Sequence, residues 1–408
     1  MNAGLQTIGQ HAFERAAIEE IDIPASVTKL GYAAFGECWH LLVVGFHRSD
    51  FSQYDNSAFL RSGSITEVLL HEGGSIWGKD LYDFAYVMLT GESIENGRGE
   101  FTKDDPDEEN GILGNVYYQP HNTSNSYLVS AYGNGTKLHT RTATHTKQKA
   151  LLGDRGITEI TIGSSMLTIN DGTFNAEKSC ETLIFEDGGQ LNINGYSAFR
   201  NMGLKSVDMS PRSISYISFY TFADNSELES ITLSASTTSF SDYCFQNCGF
   251  KEFNLPASVT NIQGDAFRSC NKLEKFVVDG ENTKYKSVDD CLYSKDGKTL
   301  HLFPSGKECT DNTFTIPEGV TTLQGRVFQN LKTVRTVNLP STLETLGEFS
   351  FLGCPVTTLN YPGTKDEFEA LALYGTKPGQ NTSWARSCTF TEVNCLGDSS
   401  TSTKGIVA

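Results

Sequence analysis

A phrase built on Ala-Phe recurs along this chain at a nearly constant step, and it constrains the fold more than any other feature. The phrase stands at Ala12-Phe13, Ala34-Phe35 and Ala58-Phe59, and again at Thr173-Phe174, Ala198-Phe199, Thr221-Phe222, Cys244-Phe245, Ala266-Phe267, Val327-Phe328 and Ser350-Phe351. Within the uninterrupted runs, steps between neighbouring phenylalanines go from 22 (Phe13 to Phe35) to 25 (Phe174 to Phe199), and two longer gaps, Phe59 to Phe174 and Phe267 to Phe328, mark insertions. A period in the low twenties is too short for a helix-pair repeat and fits a solenoid with one strand per turn. Such a chain grows by stacking, so one core can run through 408 residues without the two or three domains that length alone suggests.

One unit is written out by residues 250–270. Phe253-Asn254-Leu255 alternates apolar, polar, apolar, the period of a short half-buried strand. Pro256 ends it, because proline brings no N–H to a ladder. Val259 and Ile262 turn inward on the opposite side of the coil, and glycine at Gly9, Gly31 and Gly347 permits a tight corner. Equivalent strand cores stand at Ile21–Ile23, Val44–Phe46, Val68–Leu70, Ile160–Ile162, Leu183–Phe185, Val207–Met209, Ile231–Leu233, Phe276–Val278, Val337–Leu339 and Leu359–Tyr361. Parallel stacking at ~4.8 Å predicts a rod or arc on the order of 50 Å.

The formal charge of -17 and a pI near 4.9 exclude a nucleic-acid backbone as partner, since phosphate binding needs clustered Lys and Arg. They equally disfavour anionic lipid surfaces. No apolar run approaches the ~18 residues of a membrane span. Of the ten cysteines, Cys38, Cys248, Cys270 and Cys354 each follow a phrase phenylalanine by three residues. They are expected to stack as compact core residues, not as a disulfide framework or metal site. Two pairs outside that ladder, Cys291 with Cys309 and Cys388 with Cys395, are candidate disulfides in an oxidising compartment.

The phrase L-x-x-I-x-I-P-x-S-V-x-x-I-G-x-x-A-F-x-x-C, met at residues 18–35 and 250–270, resembles the BspA-like, or Treponema-type, leucine-rich repeat family. The resemblance covers residues 1–70 and 156–362. It implies a mostly β leucine-rich-repeat solenoid with a parallel strand per repeat and short helical turns. It also implies β-hairpin insertions and a C-terminal cap. Family members are mostly surface or secreted proteins of host-associated bacteria and some parasitic protists. An extracellular or cell-surface location, with an export signal trimmed from the N-terminus, is therefore expected, as is adhesion or protein binding without catalysis.

Two further segments are similar to family elements. Residues 291–304 carry the turn signal Lys295-Asp296-Gly297-Lys298 between apolar flanks and predict a hairpin insertion near 280–313. Residues 363–408 resemble the closing unit, with a short helix over 365–372 and a last strand near 388–395 covering the open end. Residues 71–155 are irregular. Leu81–Phe84 suggests a degenerate coil, and the acidic run from Lys103 to Glu109 reads as a solvated loop, since Pro106 interrupts it and calcium-loop spacing is absent. Residues 112–118 and 126–138 alternate like strands and look like a divergent counterpart of the later hairpin.

No catalytic constellation is present: no His-Glu-x-x-His, no Gly-x-Ser-x-Gly, no phosphate-cradling glycine loop and no paired Cys-x-x-Cys. The eight histidines are scattered, and no cofactor or metal is expected. A non-enzymatic, monomeric binding protein is the reading that results. Its candidate partner-binding face is the outward row beside the strand cores: Glu20, Asp22, Glu159, Thr161, Ser206, Asp208, Ser230, Thr232, Glu252, Asn254, Lys275, Thr336 and Asn338. That row looks acidic enough to suit a basic partner patch. The alternatives are a glycan-binding module on the 110–140 insertion, with Tyr117, Tyr118, Tyr127 and Tyr132 as an aromatic platform, or a passive spacer displaying another domain.

Overall fold

A computed structural model describes residues 4–47, 54–55, 58–59, 62, 67–70, 99–120, 124–146, 151, 156–329, 331–373 and 392–398. Leu81–Phe84, Trp384 and Cys388 lie outside them. The chain is a parallel-strand β-solenoid of two compact units. The first comprises residues 1–204 with 211–213, the second residues 205–210 with 214–408.

Each repeat carries two strands, where the alternation of apolar residues signals only one. The longer strand follows the predicted core, as in Glu252–Leu255, with Phe253 and Leu255 inward. A turn through Pro256 leads to a two-residue strand on the other side of the coil, Asn261–Ile262. Two residues are too few for an alternation to show, which is why the second strand escapes sequence inspection.

In the first unit, Glu20–Ile23, Val43–Phe46 and Glu67–Leu70 pair in parallel, as do Lys137–His139, Glu159–Ile162 and Thr182–Phe185. In the second unit, Ser206–Asp208 pairs with Ser230–Thr232, and Glu252–Leu255 with Lys275–Val278. Thr313–Thr315, Thr336–Asn338, Thr358–Tyr361 and Glu392–Cys395 form a further parallel run there. Among the described residues, each unit also holds an antiparallel meander. Gly99–Lys103, Gly114–Pro120 and Tyr127–Tyr132 lead into the short parallel strands His145–Thr146, Thr168–Ile169 and Asn192–Ile193. Tyr285–Val288, Cys291–Ser294 and Thr299–Leu302 lead likewise into Thr322–Leu323, Thr345–Leu346 and Ala372–Leu373. The two insertions thus share one topology, as their sequence likeness suggests.

Phenylalanine stacks on phenylalanine from coil to coil. Centroids lie 5.1 Å apart for Phe13–Phe35, 5.0 Å for Phe35–Phe59, 5.3 Å for Phe245–Phe267 and 5.1 Å for Phe328–Phe351. Offset stacking adds about 0.5–1.5 kcal/mol per pair beyond area burial. The residues two before and two after the phenylalanine take left-handed φ, including His11 and Arg15, Tyr220 and Asp224, and Tyr243 and Asn247. Side chains there cost on the order of 1–3 kcal/mol each. The corner offsets this by aiming alternate N–H groups at the next coil: Phe222 N donates to Cys244 O at 2.9 Å and Asp224 N to Gln246 O at 2.7 Å.

Cys38, Cys248, Cys270 and Cys354 are buried free thiols, as the repeat predicts, and they do more than fill space. Cys38 Sγ donates to Phe13 O at 3.0 Å, Cys248 Sγ to Phe222 O at 3.2 Å and Cys270 Sγ to Phe245 O at 3.0 Å. Ser62 occupies the same place and donates to Phe35 O at 2.5 Å. At these four places the position satisfies a corner carbonyl of the preceding coil, whereas Cys354 Sγ donates to Phe351 O of its own coil at 2.9 Å. Gly31 has another role than a tight corner. Its φ is not positive, and a Cβ there would lie 2.6 Å from the backbone nitrogen of Gln10, so glycine permits two coils to approach. Cys291, Cys309 and Cys395 are free thiols.

At the C-terminus the helix is Lys365–Glu369, shorter than expected because the chain turns into Ala372–Leu373. Thr364 and Glu367 form a reciprocal capping box, and buried Phe368 packs 5.6 Å from Tyr361. Glu392–Cys395 supplies the closing strand.

Candidate partner-binding face

The outward positions of the longer strands fall into register within each unit. Glu159 lies between Lys137 and Thr182, and Thr161 between His139 and Ile184. Ser206 and Asp208 lie beside Ser230 and Thr232, and Glu252 and Asn254 beside Lys275 and Val277. Glu20 and Asp22 stand beside Val43 and Gly45. All thirteen positions singled out from the sequence are exposed or half-buried.

The row is less acidic in effect than its composition suggests. Asp22 meets His47 at 3.9 Å, Glu159 meets Lys137 at 3.8 Å and Glu252 meets Lys275 at 2.5 Å. Donating a hydrogen bond to the Glu252 carboxylate holds the Lys275 ammonium above its ordinary value. In the second unit the row becomes an amide ladder. Asn338 Nδ2 donates to Thr315 Oγ1 at 2.8 Å, Asn360 Nδ2 to Asn338 Oδ1 at 2.7 Å and Asn394 Nδ2 to Asn360 Oδ1 at 2.9 Å. Thr315, Asn360 and Asn394, with Lys137, His139 and Ile184, extend the row beyond what the Ala-Phe phrase located. The repeated Thr-x-Thr or Thr-x-Asn at 313–315, 336–338 and 358–360 is the signal that would have found part of it.

The ladder is split at one place in the second unit. Ser230–Thr232 is the last strand on its sheet and Glu252–Leu255 begins another, with no backbone hydrogen bond between them. A groove of about 370 Å³ lies there, lined by Glu229–Thr232 and Phe250–Asn254. Ile231 is half-exposed in it, whereas its equivalents Val207 and Phe253 are 3% and 1% exposed. Bulk explains the opening. Phe250 and Phe253 take the places that Leu228 and Ile231 hold one coil earlier. Their rings crowd Phe245 and Phe267 at 4.6–5.8 Å.

The insertion tyrosines that the structure describes are engaged in packing. Tyr117 is 6% exposed and its hydroxyl donates to Asp104 Oδ2 at 2.5 Å. Burial pushes that phenol up to about 12. Tyr127 packs on the core of the N-terminal coils and lies 5.0 Å from His145. Tyr118 and Tyr132 fall within the strands Gly114–Pro120 and Tyr127–Tyr132. The acidic run anchors this insertion: Asp104 pairs with Arg141 at 2.9 Å, and Asp107 accepts from Asn110 Nδ2 at 2.8 Å. Among the described residues, no group of three or more His, Cys, Asp or Glu is placed to hold a metal ion. Cys38, the cysteine nearest a histidine in sequence, has its thiol raised by burial. Among the same residues no helix is long and apolar enough to cross a membrane.

Fold and face together define a leucine-rich-repeat solenoid with a register-aligned polar surface. The sequence profile described as the BspA type leucine rich repeat region matches in six copies over residues 1–86, 144–274 and 306–406, and the chain belongs to that family. Among solved structures it is similar to the pneumococcal vaccine antigen PcpA, with 18% identity, a TM-score of 0.52, and coverage of 75% of this chain and 89% of that one. A leucine-rich cell surface protein of Faecalibacterium prausnitzii shares 18% identity over 60% of this chain and 74% of its own, with a TM-score of 0.46. A leucine-rich repeat protein of Eubacterium ventriosum shares 18% over 73% and 79%, with a TM-score of 0.44. No curated protein matches the chain in sequence.

Proposed function

We propose that this chain is a secreted or surface-attached binding protein that engages a protein partner through the outward row of its longer strands, without catalysis. The observation that supports this reading most is the register of the row. Polar side chains at matching places repeat at the ~4.8 Å strand spacing, which suits an extended protein surface better than a compact small molecule. Family membership supports the same class of role. Because Glu159 and Glu252 are paired with lysines, hydroxyl and amide contacts carry much of the recognition, and affinity should depend only moderately on salt.

The test is capture of extracellular-matrix and cell-surface proteins by the wild-type chain and by row variants such as Asn338→Ala with Asn360→Ala, and Ser206→Ala with Asp208→Ala. Weaker capture at unchanged thermal midpoint is expected. Capture that survives every row variant would place the interface elsewhere.

A further inference from the structure

We infer that Asn134 and Asn194 are sites of spontaneous deamidation in the folded chain, and that Asn110, followed by the same residue, is protected. The chain carries Asn-Gly pairs at 96–97, 110–111, 134–135 and 194–195, of which the first lies outside the described residues. In such a pair the glycine N–H attacks the asparagine Cγ readily, because glycine has no side chain to stand in the way. A five-membered imide forms and the Cγ–Nδ2 bond breaks. The amide nitrogen leaves as ammonia, taking the proton of the glycine N–H. Water then opens the imide at one carbonyl or the other, giving aspartate or isoaspartate. Either product adds a carboxylate to a chain already at -17.

Asn110, Asn134 and Asn194 are all exposed, so access does not separate them. Hydrogen bonding does. Asn110 is tied at each group the reaction needs. Its Nδ2 donates to Asp107 Oδ2 at 2.8 Å and its N–H to Asp107 Oδ1 at 3.3 Å, while Gly111 N donates to Glu108 O at 3.2 Å. The attacking nitrogen and the leaving amide are both held, and those bonds must break before attack. Asn134 stands in the turn between Tyr127–Tyr132 and Lys137–His139, and Asn194 directly follows Asn192–Ile193. Among the described residues, neither of these side-chain amides has a partner, and neither Gly135 N nor Gly195 N has an acceptor. Asn194 N donates to Ile169 O at 2.9 Å, a bond that leaves both reacting groups untied.

The experiment incubates the full chain in mildly alkaline buffer at physiological temperature, folded and in urea. Peptide mapping by mass spectrometry follows each pair, and ion exchange follows the acidic products. In urea the three pairs should react at comparable rates. In the folded chain Asn134 and Asn194 should react about tenfold faster than Asn110, the effect of one or two hydrogen bonds. Asp107→Ala unties the Asn110 amide at an exposed turn and should speed Asn110 several-fold. Asn134→Gln, whose longer side chain closes an imide ring far less readily, should remove the acidic product that arises at 134. The inference is overturned if Asn110 keeps pace with the other two in the folded chain. It is equally overturned if Asn134 or Asn194 stays intact there while reacting in urea, or if Asp107→Ala leaves Asn110 as slow as before.

Discussion

Replacing Phe245 by alanine should be far costlier than the same change at Phe13, although both occupy one place in the repeat. Phe245 is fully buried, with the rings of Phe222, Phe240, Phe250, Phe253 and Phe267 at 5.3–6.0 Å. A buried Phe→Ala change costs about 3–5 kcal/mol, and loss of several ring pairs places this site at the upper end, about 5 kcal/mol. Phe13 is 37% exposed and stacks on Phe35 at 5.1 Å, so about 1 kcal/mol is expected. The difference approaches the whole stability of many domains. Urea titration followed by far-UV circular dichroism measures it, with the midpoint of the full curve compared because long repeat arrays can depart from two-state unfolding. Equal costs at the two sites, or a cost below about 1.5 kcal/mol at Phe245, would refute the idea that ring stacking in a shared core holds the coils together.

Burial pushes His301 down to about 4, with its ring 5.1 Å from Tyr285. A folded-state value below the unfolded 6.5 means that stability is full above pH 6.5 and is lost as pH falls toward 4. The loss is at most about 3 kcal/mol, and His301→Gln should flatten that part of the pH–stability curve relative to wild type. Cys270→Ala removes one of two donors to the buried Phe245 carbonyl, leaving Cys248 N at 3.3 Å, and should cost about 1 kcal/mol, whereas Cys270→Ser, keeping a donor, should restore most of it in the same titration. Burial raises the Cys270 thiol to about 12, so a maleimide at pH 8 should label half-buried Cys309 well before Cys270 in the folded chain. Thr364→Ala removes the capping box and should cost about 1 kcal/mol, seen as faster hydrogen exchange in Lys365–Glu369.

The inner half of this fold was legible because it repeats. Phe245, Cys270 and Leu255 recur at a fixed step, and a side chain that meets its own equivalent one coil away leaves that step in the sequence. The longer strands followed from the same step, whereas the 291–304 hairpin was announced by its turn signal, the earlier insertion by alternation, and the capping helix by the resemblance to the family's closing unit. The two-residue strands did not, being too short to alternate. Nor did the left-handed corners, where Tyr220 and Tyr243 stand in place of the glycine that would have announced them. The outward row was legible by position, but the contacts of Asp22, Glu159 and Glu252 were not, because their partners lie on neighbouring strands and not in the same phrase. The split was invisible for a similar reason. It arises from ring volume at Phe250 and Phe253 relative to Leu228 and Ile231, all of which read equally as apolar core.

The most direct test of the binding account is chemical cross-linking of a captured extracellular partner to this chain, with the linked residues mapped by mass spectrometry using a photo-reactive group placed in turn at Thr161, Thr232, Asn338 and, as an outlier, Glu14 at the corner. Links from the strand positions and none from Glu14 are expected. Links concentrated at the corner, or in the 110–140 insertion, would contradict it.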